Sequence, residues 1–237
     1  WTAGLLCYVL DADKPGLLTE IVARLRQREA YQPRVKSNFL FDPEVMKLLL
    51  EELCLEAGVR IQYHTRVVAA HVNFNSRLKA VITESKSGRQ AWKARVFIDC
   101  TGDGDLGALA GCRWELGRPH DGACQPMSLL ALVAGPSPEE TRRFHDMAFP
   151  ERGAAMLAEL KRAGFHPSYE KPSLFYLRDN LYAYMVNHEY GVSASDAQAI
   201  TDATIRARRE IDGAVRALRS LGGIWSSLRL VATADQI

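Results

Sequence analysis

The spacing of apolar positions changes period along the chain, and the changes divide it. After the turn Asp13-Lys14-Pro15-Gly16, residues Leu17, Leu18, Ile21, Val22 and Leu25 recur at helical spacing and predict an amphipathic helix to about Arg28. Asp42-Pro43-Glu44-Val45 pairs an N-cap with Pro at N1. A second helix follows, with Val45, Leu48, Leu49, Leu53 and Ala57 on successive turns and Gly58 as its stop. From there the period falls to two, over 59–63, 66–73, 78–84 and 91–99, with turn clusters Asn73-Phe74-Asn75-Ser76 and Lys86-Ser87-Gly88-Arg89. The predicted order is helix, strand, β-meander, strand.

The second half alternates differently. A strand is expected over 125–133, and Ser137-Pro138-Glu139-Glu140 is a capping box that starts a helix ended by Pro150. A helix over about 151–163, with Gly164 after it, leads to a hairpin of 174–176 and 181–190 joined at Arg178-Asp179-Asn180. Tyr182, Tyr184, Val186 and His188 share one face of its second strand, which reads first as solvent-side aromatics on an ordinary sheet. Ser195-Asp196 opens the longest helix, whose apolar stripe runs from Ile200 through Ala207, Ile211 and Leu218 to Leu221 before Gly222-Gly223. Its arginines 206, 208, 209, 216 and 219 read as a solvated face paired with Glu210 and Asp212.

Between the halves, the apolar run 94–100 ends in Thr101-Gly102-Asp103-Gly104-Asp105-Leu106-Gly107, which reads as buried strand, tight turn and short helix. That arrangement offers backbone N–H groups to a nucleotide. Gly102, Gly104 and Gly107 satisfy Gly-x-Gly-x-x-Gly literally. Yet the βαβ unit that gives this fingerprint its meaning is missing, and Asp103 and Asp105 would repel a pyrophosphate. The turn therefore reads as another part of a nucleotide fold, with a plain glycine-rich turn as the bland alternative.

Composition narrows the classes. With 47% hydrophobic and 24% charged residues the 237-residue chain is ordinary globular material, and a net charge of +2 gives no case for nucleic acid or an acidic membrane surface. Five cysteines without a Cys-x-x-Cys, mostly in apolar runs, read as buried free thiols in a reducing, cytoplasmic setting. No window is long and apolar enough to span a membrane, and no basic n-region opens the chain, which starts at Trp1. No metal site is expected from the six histidines, and no Gly-x-Ser-x-Gly elbow is present. Mg²⁺ held by Asp99, Asp103 and Asp105 in a phosphate-handling enzyme is disfavoured, because Asp99 should alternate away from the turn.

Six pieces in this order, namely 42–50, Ala57-Gly58-Val59, His64-Thr65-Arg66-Val67-Val68, Lys86-Ser87-Gly88-Arg89, 98–105 and Gln125-Pro126-Met127-Ser128-Leu129, resemble FAD-dependent oxidoreductases of the glutathione-reductase-type flavoprotein class. The likeness is nearest to a bacterial branch without a known substrate, and it spans residues 1–237. It implies an α/β fold: part of a Rossmann-like FAD-binding domain over 1–116, with the meander 59–99 as a crossover, and an α+β cap or substrate domain over 117–237. It also implies that Thr101, Gly102 and Asp103 lie beside the FAD adenosine, that Val67 meets the adenine through its backbone, and that Thr2, Ala3 and Gly4 lie near the isoalloxazine ring. On this reading Tyr182, Tyr184 and His188 could instead face a flavin.

What the resemblance implies for activity is hydride transfer between flavin N5 and an unidentified small organic substrate. No catalytic side-chain set is expected, because the flavin carries the electrons. Self-association is left open. Members of the class begin with a Gly-rich pyrophosphate loop and end with a Gly-Asp flavin segment, and neither occurs in this sequence. The expectation is therefore a fragment or gapped version of such an enzyme, with a cofactor-free binding or scaffold domain as the competing class.

Overall fold

In the computed structural model, residues 5–10, 13–34 and 37–237 are described, and they fall into two compact units. The first joins residues 1–56 to 125–237, and the second is 57–124.

Within the first unit, β1 (Tyr8–Val9), β2 (Tyr31–Pro33) and β3 (Phe39–Phe41) form an antiparallel sheet in the order β1-β3-β2. It is covered by α1 (Leu17–Gln27) and α2 (Pro43–Glu56). Leu25, Phe39 and Leu49 are fully buried between them, each burial contributing about 1.5–3 kcal/mol. The start of α2 is fixed as the sequence predicts: Asp42 Oδ1 accepts from the Glu44 amide at 2.9 Å, and Pro43 opens the helix. Arg24 on α1 bridges Glu20 and Glu56, both at 2.6 Å, tying the two helices together at their surface.

The second sheet of this unit is β10-β7-β9-β8, antiparallel throughout, from β7 (Ala131–Ala134), β8 (Ser173–Arg178), β9 (Leu181–Met185) and β10 (Arg229–Thr233). α4 (Pro138–His145) and α5 (Phe149–Arg162) pack on β8, and α6 (Ala197–Ser220) packs on α5 and β10. The capping box is present, with Ser137 accepting from Glu140 N. Pro150 does not end α4 as expected. It sits in the first turn of α5, where its missing N–H leaves no extra group unpaired.

β7 is shorter than the strand expected over 125–133. Upstream of it the Asn187 side chain stands in for the ladder at Leu129, accepting from Leu129 N and donating to Leu129 O, both at 3.0 Å, and backbone pairing resumes as a single bridge between Met127 and Glu189. The tyrosines of β9 correct the expectation of solvent-side aromatics: Tyr182 and Tyr184 are buried core residues, because β9 is an inner strand. The arginine face of α6 is only partly paired as expected. Arg216 meets Asp212 at 2.9 Å, but Arg206 binds Glu189 and Glu210 accepts from Ser168.

The second unit holds the meander, β4 (Arg66–Val72), β5 (Leu78–Ser85) and β6 (Gly88–Trp92), antiparallel in that order, and the short helix α3 (Asp105–Leu109). The flanking segments expected as strands, 59–63 and the last part of 91–99, carry none. A strand needs a neighbour for its backbone groups, and among the described residues no strand lies beside either. Their alternating apolar side chains, Val59 and Ile61 in one and Val96 and Ile98 in the other, are exposed. Among the described residues the fold is thus mixed α/β with three antiparallel sheets.

All five cysteines are free, as expected, but only Cys7 is buried, and burial pushes its thiol up to about 12. Cys54 is half-buried, and Cys100, Cys112 and Cys124 are exposed. No described helix is long and apolar enough to cross a membrane.

Candidate functional site

The turn after residue 100 is built by two short polar side chains. Asp99 Oδ1 accepts from the Thr101 amide at 2.9 Å and from the Thr101 hydroxyl at 2.6 Å, while Oδ2 accepts from the Gly107 amide at 2.8 Å. The Thr101 hydroxyl oxygen in turn accepts from the Asp105 amide at 2.8 Å. Together they satisfy amides at the start of α3 that the helix itself cannot. The Thr101 hydroxyl, then the Thr101 and Gly107 amides, hold the Asp99 carboxyl below its ordinary value, against a small loss of solvation.

This arrangement corrects the expectation that Asp99 alternates away from the turn. Both of its oxygens are engaged within it. Among the described residues no group of three His, Cys, Asp or Glu could hold a metal ion.

Gly102 has φ +91° and Gly104 φ +75°, conformations that a side chain strains. Nothing lies within 4 Å of where a Cβ at either would sit, so the surface beyond the turn is open. The amides of Gly102, Asp103 and Gly104 donate to no acceptor among the described residues. Three adjacent free donors beside an open surface fit a ligand that brings acceptors close to backbone. The exposed carboxylates of Asp103 and Asp105 fit one that also brings hydroxyl groups, and disfavour a phosphate. At five residues, α3 is too short to serve as an anion site through its own dipole.

Val67 lies on β4, the edge strand of the meander, half-buried and paired with Thr83. The register slips between Val67 and Ala69, making Val68 the extra residue of a bulge. α3 packs against β4 and buries Leu106. The expected residues Thr101, Gly102 and Asp103, which precede α3, thus lie in one compact unit with Val67. Thr2, Ala3 and Gly4 lie outside the described residues. Asp99 is the site residue that sequence reasoning misplaced. The signal that could have found it is the Asp-x-Thr spacing, in which a carboxylate reaches the backbone amide two residues on.

The sequence family described as FAD dependent oxidoreductase matches the chain over residues 1–237. No curated protein matches it. Among solved structures it is similar to L-proline dehydrogenase from P. horikoshii, at 14% identity and TM-score 0.43 over 83% of this chain and 43% of that one. It is similar also to aklavinone-11 hydroxylase, solved with FAD and aklavinone, at 13% identity and TM-score 0.37 over 91% of this chain and 35% of the other. A third is tryptophan halogenase from Shewanella frigidimarina NCIMB 400, at 13% identity and TM-score 0.33 over 95% and 39%. The chain spans less than half the length of each.

Proposed function

The chain belongs to the family of FAD dependent oxidoreductases, whose cofactor is FAD, and on that premise we propose that it supplies part of a flavoenzyme of the glutathione-reductase type, from the bacterial branch. Residues 1–116 contribute to the Rossmann-like FAD domain, with the meander as its crossover, and 117–237 form the cap over the substrate. The redox chemistry that bound FAD supplies is exchange of a hydride between a small organic substrate and flavin N5.

The chain's own part is to hold and orient. Thr101, Gly102 and Asp103 present backbone to the adenosine side of FAD, the Asp103 carboxylate accepting from hydroxyl groups. Val67 offers its edge-strand backbone to the adenine. Thr2, Ala3 and Gly4 lie near the isoalloxazine. The single observation that carries this reading is the Asp99-held turn, with free amides at residues 102–104 and open space beyond Gly102.

The test is the visible spectrum of the purified chain, before and after incubation with FAD. Flavin bands that persist through gel filtration are the expected result. Colourless protein, with no thermal shift on adding FAD, would overturn the proposal in favour of a cofactor-free scaffold.

A further inference from the structure

A cavity of about 460 Å³ opens between the α4–α5 connection and the strands β1 and β2, within the first unit. Tyr8, Met147 and Phe149 give it apolar and aromatic walls, and its charges come from Arg34, Arg152 and Asp146. Its size and mixed lining suit a small organic molecule.

The arginines are the unusual feature. Arg152 is 7% exposed, yet among the described residues its Nε has no hydrogen-bond partner, and the buried Nε of Arg34 has none either. The bond the Arg152 guanidinium does make is long, from Nη1 to the His145 carbonyl at 3.4 Å. Its Cζ lies over two aromatic rings, 5.4 Å from the centroids of both Phe149 and Phe175. Buried guanidinium N–H groups without acceptors are unfavourable, and native proteins seldom leave them so without a reason. Burial lowers the pKa of both arginines; Asp146 partly offsets this at Arg34, and the Arg34 charge adds to it at Arg152.

A second, independent feature points the same way. α5 begins at this cavity, with Ala148 as its N-cap and no side-chain cap, so its first-turn amides are also without a side-chain acceptor. Opposing these donors is Asp146, whose nearest ion-pair partner is Arg142 at 3.7 Å. Burial lowers the pKa of His145, away from the charged form. Two guanidinium groups against one carboxylate leave a single positive charge on the lining.

We infer that this cavity is a binding site for a small organic monocarboxylate, whose carboxylate takes the unpaired N–H groups of Arg152 and Arg34 and whose apolar body lies against Tyr8, Met147 and Phe149. A carboxylate matches the planar guanidinium fork, and its one charge balances the lining. A phosphate dianion would overshoot that charge and face Asp146. The inference does not depend on FAD, since no residue of the glycine turn takes part.

Isothermal titration calorimetry on the intact chain tests it, with acetate, benzoate and 3-phenylpropionate as probes and benzamide and inorganic phosphate as controls. Benzoate or 3-phenylpropionate is expected to bind saturably, more tightly than acetate, and benzamide and phosphate at least about tenfold more weakly. Arg34→Gln should weaken that binding by roughly 10- to 100-fold, the loss of a charge-assisted hydrogen bond, with an unchanged circular dichroism spectrum. Arg152→Met should do the same, and if it does not fold, Arg34→Gln decides alone. Failure of all three carboxylates to bind would overturn the inference. So would equal affinity for benzamide, tighter binding of phosphate, or full affinity in Arg34→Gln.

Discussion

Asp99 and Thr101 hold one another across a single turn: the carboxylate accepts both the hydroxyl and the amide of residue 101, at 2.6 and 2.9 Å, and the same hydroxyl oxygen accepts from Asp105. An exposed carboxylate thereby sets the backbone of residues 101–107 through its charge. The conformation of the proposed cofactor turn is thus coupled to protonation.

The sign of that coupling follows from the lowered value of Asp99. A folded-state pKa below the unfolded one gives stability that is fully present above about 3.9, the unperturbed aspartate value, and lost as pH falls through the folded value. Asp99→Asn should therefore destabilise the chain near neutral pH, and its deficit should shrink as pH drops below about 4. Urea unfolding followed between about pH 7 and 3 checks this, and a deficit that stays constant across the range would remove Asp99 as the titrating group.

Gly102→Val probes the same turn without touching its polar groups. No protein atom would meet the new Cβ, so the cost comes from φ +91°, which a β-branched residue adopts only under strain of about 1–3 kcal/mol. If the open surface is the adenosine side of the FAD site, the variant should lose flavin absorbance while its far-ultraviolet circular dichroism stays unchanged. Stoichiometric FAD in the variant would take Gly102 out of the site.

The helix boundaries were legible in the sequence because they are written in adjacent residues. Asp42 with Pro43, Ser137 with Glu140 and Asp196 with Gln198 each specify a cap within three positions. The turn at Gly102 and Gly104 was legible for the same reason. What was not legible depends on distant partners. Alternation at 59–63 and 91–99 predicts strands, but alternation states only which side chains share a face, and a strand also requires a neighbour to pair with. The buried state of Tyr182 and Tyr184 rests on β7 and β8 flanking β9, which no local pattern records. Arg34 and Arg152 are 118 positions apart, and nothing in the sequence places them at one cavity.

Asp42 has two separable functions. Its Oδ1 caps α2, and its Oδ2 accepts from Arg178 Nε at 2.7 Å, a contact that joins the first sheet region to the end of β8. Asp42→Ala should cost about 1–2 kcal/mol for the lost cap alone. Asp42→Asn keeps a capping oxygen and loses the charge, so it should recover most of that. If the two variants are equally destabilised in urea, the contact with Arg178 and not the cap carries the stability.

Tyr182 and Tyr184 stand on one face of β9, both buried, but their hydroxyls differ. That of Tyr182 is 2.9 Å from the Thr141 hydroxyl and donates to the Pro136 carbonyl at 3.1 Å, whereas that of Tyr184 has no partner among the described residues. Burial without a partner also pushes the Tyr184 hydroxyl pKa well up. Removing an oxygen should therefore act in opposite directions at the two sites. Tyr182→Phe takes the donor from the buried Pro136 carbonyl, while Thr141 keeps its bond to Ser137, and should cost about 1–3 kcal/mol, whereas Tyr184→Phe removes an unsatisfied group and should be neutral or stabilising by about 1 kcal/mol. Because both side chains are core, neither change should alter flavin absorbance. Chemical denaturation of the two variants reads the signs directly, and a Tyr184→Phe variant that is markedly less stable than Tyr182→Phe would mean that its hydroxyl has a partner in solution.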